Sequence, residues 1–241
     1  MGSKSRIAKY IVPIIQKYIN DNHITHYWEP FVGGANMIDK IQCEKKFASD
    51  VNEYLIELYK NLDRIQELPI LVSKEHYSDV RTCYNTKSDK FEKWYIGAIG
   101  FLASYNGRFF DGGYSGIVHT KADTIRNYYD EAKRNLISQI PDLQDIKWAC
   151  KDYREIKEIH NYMIYCDIPY KDVKQYNTSK NFDYDAFWQW VRDKSKNNIV
   201  VVSECQAPED FKCIWQQEIT RTVDNTKRVK SIEKLFTYTS K

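Results

Sequence analysis

The sequence predicts an α/β protein whose core is one sheet of about seven mostly parallel strands. Short apolar runs, such as residues 163–166 and 198–203, read as strands that are buried on both faces. Amphipathic patterns with apolar residues three and four apart lie between these runs and predict helices. The length of 241 residues suits one such domain with a large core and a small inserted subdomain.

The first part of the chain alternates helix and strand patterns. Apolar residues at helical spacing predict a helix over residues 3–20, which Pro13 should kink or restart. A strand from Tyr27 ends in small residues and is followed by a helix-like pattern over 37–41. A second strand over 47–50 then leads into a helix over 51–62.

Strand patterns disappear between about residues 64 and 140, which predicts an inserted helical subdomain. Its clearest helix covers 91–102, and a basic helix is expected around 121–136. Between them, residues 104–120 carry Asn-Gly and Gly-Gly turn signals around aromatic side chains, which favours a protruding loop or hairpin. Such a hairpin could be ordinary surface structure. Alternatively, exposed Tyr, Asn and Arg side chains there could stack on base edges or hydrogen-bond to them.

Strand patterns return in the last hundred residues. A strand over 146–150 precedes Asp152 and Tyr153, and the strand over 163–166 must end before Pro169, which cannot continue a ladder. After a polar loop over 171–182 with three lysines, the chain offers a buried strand over 198–203. Segments 214–220 and 235–238 should close the sheet as an antiparallel hairpin.

Glycines or acids follow three of the predicted strands, at the edge where open α/β sheets bind ligands. Gly33 and Gly34 would let backbone N–H groups approach a ligand closely. Asp50 is placed to accept from two ribose hydroxyls. Asp167 and Tyr170 flank a rigid turn, and together they would form a slot for a flat polar group. A dinucleotide-binding unit is the alternative for the first glycines, but GxGxxG is absent.

Two motifs, Glu29-Pro30-Phe31-Val32-Gly33 and Asp167-Ile168-Pro169-Tyr170, together resemble those of the Dam-type DNA adenine-N6 methyltransferases. The resemblance covers nearly the whole chain, with a cofactor motif first, a target-recognition region next and a catalytic motif after it. It implies a Rossmann-like methyltransferase sheet and methyl transfer from S-adenosylmethionine to the exocyclic N6 of a flipped-out adenine in double-stranded DNA. Ile168 departs from the family, which has a proline there.

The resemblance also implies roles for individual residues and a division of the chain. Residues 1–63 and 141–241 would form the catalytic domain, and 64–140 the target-recognition subdomain, with its DNA-reading hairpin at about 104–120. Gly2, Ser3 and Lys4 would close over the methionine end of the cofactor. The cofactor-binding residues would be Lys4, Glu29, Pro30, Phe31, Gly33, Gly34, Ala35, Asp50, Asp152 and Tyr153. The catalytic residues would be Asp167, Ile168, Pro169 and Tyr170, and the DNA-binding residues Tyr105, Asn106 and Arg108.

The expected mechanism uses two hydrogen-bond acceptors on the target amine. The Asp167 carboxylate and the Ile168 main-chain carbonyl would stabilise the positive charge that develops on N6. Tyr170 would stack on the flipped base, with Phe182 as a candidate for its other face. No metal is required by this mechanism. Two alternatives stay open: methylation of RNA or another planar amine or amide, and a catalytically silent DNA-binding protein that kept the fold.

The composition bears on where the protein works in the cell rather than on its activity. The net charge of +3, from 36 basic and 33 acidic residues, is too weak to indicate nucleic acid by itself. Six scattered cysteines without CxxC spacing argue for reduced, buried thiols and against a zinc site. No apolar run reaches the roughly 18 residues of a membrane span. We therefore expect a cytoplasmic protein. We further expect a monomer or a weak dimer, and the resemblance implies a role of the restriction-modification kind.

Overall fold

The computed structural model describes residues 4–119, 124–169, 182–222 and 228–238. Its α-helices are α1 (Ala8–Asp21), α2 (Glu53–Lys60), α3 (Lys74–Thr86), α4 (Lys93–Leu102), α5 (Tyr128–Leu143) and α6 (Tyr184–Lys194). Its strands are β1 (His26–Glu29), β2 (Lys45–Asp50), β3 (Ile117–His119), β4 (Ile125–Asn127), β5 (Ile146–Cys150), β6 (Tyr162–Asp167), β7 (Ile199–Glu204), β8 (Phe211–Thr222) and β9 (Arg228–Tyr238).

Seven of these strands form one sheet in the order β5-β2-β1-β6-β7-β9-β8. The first five are parallel, whereas β9 runs antiparallel to both β7 and β8. The predicted sheet of about seven mostly parallel strands with an antiparallel end is therefore confirmed. The strand order reverses direction at β1, so a crevice opens between the carboxyl ends of β1 and β6.

Alternate side chains of the central strands fill two separate cores. Residues such as Tyr27, Met163 and Tyr165 pack on the face that α1 and α2 cover. Their neighbours, including Trp28 and Ile164, pack on the opposite face against α6. Because side chains of a strand alternate between faces, this division fixes the direction of each side chain at the strand ends.

Helix α1 lies on the sheet through a stripe of isoleucines at positions 7, 11, 15 and 19, all buried. It runs through Pro13 as one continuous helix, so the predicted restart does not occur. Pro13 lies on the exposed side of the helix, where the carbonyl that loses its N–H partner can bond to water instead.

The middle of the chain contains a third core that is largely its own. Its buried members come from residues 72–129 and include Tyr77, Phe110 and Tyr129. Helix α4 joins this core to the main one, because Gly97 lets it approach α2 closely. A Cβ at Gly97 would collide with the backbone oxygen of Tyr54.

Three expectations about local structure are wrong. The pattern over 37–41 is one 3₁₀ turn, Ile38–Lys40, because the chain returns to an extended conformation at Ile41. The basic helix expected from about 121 begins only at Tyr128, and β3 and β4 form a small antiparallel hairpin before it. All six thiols are free as expected, but Cys150 and Cys213 are exposed rather than buried.

Within the described ranges, no helix is both long enough and apolar enough to cross a membrane. The same ranges contain no group of three or more His, Cys, Asp or Glu side chains arranged to hold a metal ion.

Candidate active site at the carboxyl edge of the sheet

An acid lies at or just after the carboxyl end of each of five neighbouring strands. In sheet order these strands are β5, β2, β1, β6 and β7. The acids, in the same order, are Asp152, Asp50, Glu29, Asp167 and Glu204. Parallel strands bring these carboxylates to one edge, and this edge has the chemistry to bind a cationic ligand.

Two of these acids point to the face that α1 covers. Glu29 lies two residues after the core residue Tyr27, and Asp167 lies two residues after Tyr165, so each shares the face of its buried predecessor. Ser203 pairs with Asp167 across β6 and β7 and points the same way. The edge of this face therefore collects polar groups from three adjacent strands.

Lys4 lies between two acids on this face. Its ammonium is 2.6 Å from Glu233 Oε1 and 3.1 Å from Asp167 Oδ1. Ser203 Oγ donates to the same Glu233 oxygen at 2.6 Å. Lys4 and Glu233 are 7% and 1% exposed, whereas the Asp167 side chain is 25% exposed and so can be reached from solvent.

Burial changes the ionisation of two further acids at the edge. Glu29 is 3% exposed, and desolvation raises its pKa to about 8 although the Tyr27 hydroxyl donates to its Oε1 at 2.6 Å. Glu204 is also buried, and desolvation raises its pKa to about 7. The Cys205 N–H donates to Glu204 Oε1 at 2.7 Å, while Glu204 Oε2 has no hydrogen-bond partner among the described residues.

The glycine segment after β1 forms a tight turn against Asp50. Gly33 has a φ of 47°, a conformation that glycine adopts without strain, and its N–H donates to Asp50 Oδ2 at 3.2 Å. The Asn52 N–H donates to the other Asp50 oxygen at 2.9 Å, and desolvation by burial raises the pKa of this carboxyl. Tyr59 fixes the turn from α2 by donating to the Gly33 carbonyl at 3.0 Å.

The other residues of this predicted motif surround the turn. Pro30 and Ala35 are buried, and Ala35 has a φ of 52°. Gly34 is half-buried, and a Cβ there would press on the Asn36 side chain at 2.6 Å. Because the helix expected over 37–41 does not form, only the 3₁₀ turn Ile38–Lys40 follows this segment.

An aromatic cluster borders the same edge on the α6 side. The Phe31 ring lies 5.4 Å from Tyr153 and 5.8 Å from Phe182. Tyr153 is buried and also contacts Phe187 and Trp190. Phe182, which the sequence suggests for one face of the target base, packs here against Phe31 and Tyr153, and its role at the base stays a prediction.

Asp152 is already engaged by its own loop. Its two oxygens accept from the Arg154 guanidinium at 2.8 and 3.0 Å, and one of them also accepts from the Arg154 N–H. This pairing holds the pKa of Asp152 below its usual range. The cofactor-binding role of Asp152 stays a prediction, and Arg154 would have to share or release the carboxylate.

The segment after β6 is held in place by packing. Ile168 is 3% exposed and belongs to the core on the α6 face, while the Pro169 carbonyl accepts from Tyr184 at 2.8 Å. Tyr170 and the lysines of the loop to residue 181 lie outside the described residues, as do Gly2 and Ser3.

The predicted DNA-reading residues lie on a compact loop, which is one of the two forms expected for this segment. A single bridge between Ser104 and Tyr114 closes it, and the Phe110 N–H donates to Ser104 Oγ at 3.1 Å. Asn106 has a φ of 53° inside one 3₁₀ turn. Tyr105, Asn106 and Arg108 are all exposed, as the prediction requires.

The regular hairpin is β3–β4, which immediately follows this loop. It exposes apolar side chains, with Ile117 at 46% and Ile125 at 67% exposure. Strands of three residues are too short to show the alternation of apolar and polar side chains that marks a strand. The pattern of the residues around β4 indicates a basic helix instead. The sequence therefore missed β4.

A family model described as D12 class N6 adenine-specific DNA methyltransferase matches residues 1–206. The chain belongs to this family. This D12-class methyltransferase therefore acts on DNA, where it transfers a methyl group to the N6 of adenine. The matched residues include Glu29 of β1 and Asp167 of β6. Both motifs that suggested the resemblance thus lie in the matched region.

The chain is also similar to individual proteins of known sequence or structure. The type II methyltransferase M.MjaIII of Methanocaldococcus jannaschii is 28% identical over 200 residues, covering 72% of this chain and 68% of its own. Among solved structures, the rRNA methyltransferase aviRa from Streptomyces viridochromogenes has a TM-score of 0.45 at 10% identity, covering 97% of this chain and 84% of its own. A putative RNA methyltransferase, PH1948 from Pyrococcus horikoshii, has a TM-score of 0.44 at 8% identity, covering 96% of this chain and 81% of its own.

Three residues at the edge were not predicted from the sequence. Glu204 follows a buried strand as Asp50 and Asp167 do, so the same signal could have identified it. Glu233 and Ser203 had no such signal. Glu233 is 229 residues from Lys4, and its strand lies after the region that the family model matches.

Proposed function

We propose that this methyltransferase uses S-adenosylmethionine to methylate an adenine flipped out of double-stranded DNA, and that Asp167 and Ile168 hold the target amine. One observation carries the proposal: Asp167 is the partly exposed acid at the crevice between β1 and β6, where the strand order reverses. Open α/β sheets bind their ligands at such a point.

The chemistry explains why acceptors are needed there. The lone pair of the exocyclic amine is delocalised into the adenine ring, so N6 is a poor nucleophile. Two acceptors on its N–H bonds favour a more tetrahedral nitrogen and stabilise the positive charge that develops on it. Asp167 would supply one acceptor through its carboxylate, and Ile168 the second through its main-chain carbonyl. Tyr170 would stack on the base, as expected for the family motif.

The residues around β1 and β2 fit S-adenosylmethionine. When bound, this cofactor supplies an electrophilic methyl group on a cationic sulfur. Asp50 would accept from the ribose hydroxyls, and the glycine turn would let main-chain groups lie close to the ligand. The half-buried Phe31 offers aromatic surface for the adenine ring, and the buried Tyr153 packs against it. Glu29 provides a buried acid toward the cationic end, and Lys4 lies on the same face.

The target DNA would contact the middle of the chain. Tyr105, Asn106 and Arg108 are exposed together on one loop, which is held rigid by the buried Phe110. A Tyr and an Asn there could fill the gap that a flipped adenine leaves. The separate core of residues 72–129 supports a target-recognition subdomain over 64–140 between two catalytic segments, 1–63 and 141–241.

Replacing Asp167 with Asn tests the proposal. Asn keeps the shape of the side chain but loses the charge, so transfer of tritiated methyl groups to DNA should fall by roughly 100-fold or more. Cofactor affinity, measured by calorimetry, should change little because the lost interaction acts mainly in the transition state. Asp145→Asn is the matched control, because Asp145 is an exposed acid that directly precedes β5 and so lies at the opposite, amino edge of the sheet.

The substrates in the same assay separate the alternatives. Duplex DNA, single-stranded DNA and RNA are compared with wild-type protein. Methylation of RNA alone would contradict the DNA proposal. Turnover of Asp167→Asn near that of the wild type would remove Asp167 from the reaction.

A further inference from the structure

We propose that Glu233 is a positioning residue for methyl transfer: it holds the Lys4 ammonium so that Asp167 keeps a charged, accessible acceptor oxygen. This inference rests on the proposed role of Asp167 as the acceptor for the target amine. It assigns a part in the reaction to β9, which lies beyond the region matched by the family model.

The geometry shows which acid binds the lysine more closely. The ammonium is 2.6 Å from Glu233 and 3.1 Å from Asp167, so Glu233 makes the shorter contact. Ser203 donates to the same Glu233 oxygen at 2.6 Å. Glu233 is thus held by a hydroxyl and an ammonium together, and it is 1% exposed.

The three residues are fixed by rigid elements. Ser203 lies on β7 and Glu233 on β9, and these strands pair with Ser203 opposite Leu235. Lys4 begins the 3₁₀ turn Lys4–Arg6, and its carbonyl accepts from the Ile7 N–H at 2.9 Å just before α1. The ammonium is therefore brought to Asp167 by backbone that the sheet and α1 hold in place.

The charges around Asp167 explain why this arrangement matters. Glu29 faces Asp167 from β1, Glu204 and Glu233 from β7 and β9, and Tyr165 lies on its own strand. Close carboxylates cannot all stay ionised unless a cation is shared among them. One lysine between Glu233 and Asp167 meets that need without binding tightly to the reacting carboxylate.

Removing either partner should harm Asp167 in a different way. Without the Glu233 charge, the ammonium would pair fully with Asp167 and compete with the adenine amine. Without the Lys4 charge, Asp167 and Glu233 would face each other and share a proton, so Asp167 would be ionised only at higher pH. When the Glu233 and Lys4 charges are both removed, Asp167 should again be ionised and available to the adenine amine.

A double-mutant cycle tests the inference with the full-length protein and duplex DNA. Glu233→Gln and Lys4→Met should each lower kcat by about tenfold or more, with KM for DNA changed by less than about threefold. The Lys4→Met protein should regain activity as the pH rises. The assays use saturating S-adenosylmethionine, so that any loss of cofactor binding through Lys4 does not enter kcat. Under these conditions the double variant should have a higher kcat than either single variant and lose that pH dependence, which is strong non-additivity. Glu209→Gln, an exposed acid, is the control.

A structural role alone predicts the opposite pattern. In that case the double variant would be at least as impaired as either single variant, with no recovery at higher pH, and this result would overturn the inference. Ser203→Ala provides a milder test if a charge variant fails to fold, with an expected loss in kcat of about threefold. Unchanged kcat in Ser203→Ala and in Glu233→Gln would also overturn it. Failure of the proposed function is distinct, because Asp167→Asn would then stay active.

Discussion

The buried Glu29 carboxyl should make the stability of the protein fall as the pH rises. Burial raises the pKa of Glu29 from its ordinary value of 4.5 to about 8. The folded state therefore holds a proton that the unfolded chain loses above about pH 4.5. The stabilising contribution of this proton is complete below the unfolded pKa and is lost as the pH rises through the folded pKa.

The size of the effect follows from the pKa difference. Each pH unit between the two pKa values changes the free energy of unfolding by about 1.4 kcal/mol, so Glu29 alone should cost up to roughly 4 kcal/mol between about pH 5 and about pH 8. Glu29→Gln should remove this dependence, because a neutral amide needs no proton. Its oxygen can still accept from the Tyr27 hydroxyl, which donates at 2.6 Å in the wild type.

Urea unfolding of wild type and Glu29→Gln over this pH range measures the difference directly. Other titrating groups, including Glu204 with a pKa of about 7, contribute equally to both proteins and cancel in the comparison. Glu44→Gln, at an exposed acid, should keep the wild-type dependence. If the free energy of unfolding changed with pH in the same way for wild type and Glu29→Gln, Glu29 would be ionised in the folded state, and the reasoning would be refuted.

Three further substitutions test individual site residues. Asp50→Ala should weaken S-adenosylmethionine binding by roughly 1.5–3 kcal/mol in calorimetry, with the rate restored at saturating cofactor; unchanged affinity would leave Asp50 only its bonds to the Gly33 and Asn52 N–H groups. Ile168→Pro should keep or raise methyl transfer, because the carbonyl remains and the backbone stiffens; a folded but inactive protein would show that the loop follows another path. Arg108→Ala should lose about 1–3 kcal/mol of discrimination at one position of the recognised DNA site, measured by modified-base sequencing. Weaker binding to all DNA sequences with an unchanged methylation motif would show that Arg108 contacts the phosphate backbone. Unchanged DNA affinity with an unchanged motif would show that Arg108 does not contact the DNA.

The central sheet could be predicted from the sequence because its strands are buried on both faces. A short apolar run such as 163–166, bounded by polar residues and a proline, is typical of such a strand. An acid directly after the run must then lie at the carboxyl edge of the sheet. Asp50 and Asp167 follow this rule and were predicted at that edge, whereas Glu204 follows it too and was overlooked.

Other parts could not be predicted, for physical reasons. The β3–β4 hairpin has three residues in each strand and exposed apolar side chains, so neither alternation nor burial marks it in the sequence. The pairing of Lys4 with Glu233 joins the two ends of the chain, and only the folded sheet brings them together. The aromatic cluster around Phe31 depends in the same way on α6, because Phe187 of that helix packs against Phe31 only in the folded protein.

The balance of charge at the edge connects the fold to the proposed reaction. Burial favours the protonated form of Glu29, and Lys4 is shared between Glu233 and Asp167, so the site avoids collecting uncompensated negative charge. A cationic cofactor would favour the ionised forms of these same acids, and a positive charge on the target nitrogen would meet Asp167 directly. Glu29, whose burial lowers the stability of the protein at high pH, is therefore also placed to stabilise the charge of the cofactor, while Asp167 stabilises the charge on the target nitrogen. Stability and activity should respond in opposite directions when Glu29 is neutralised.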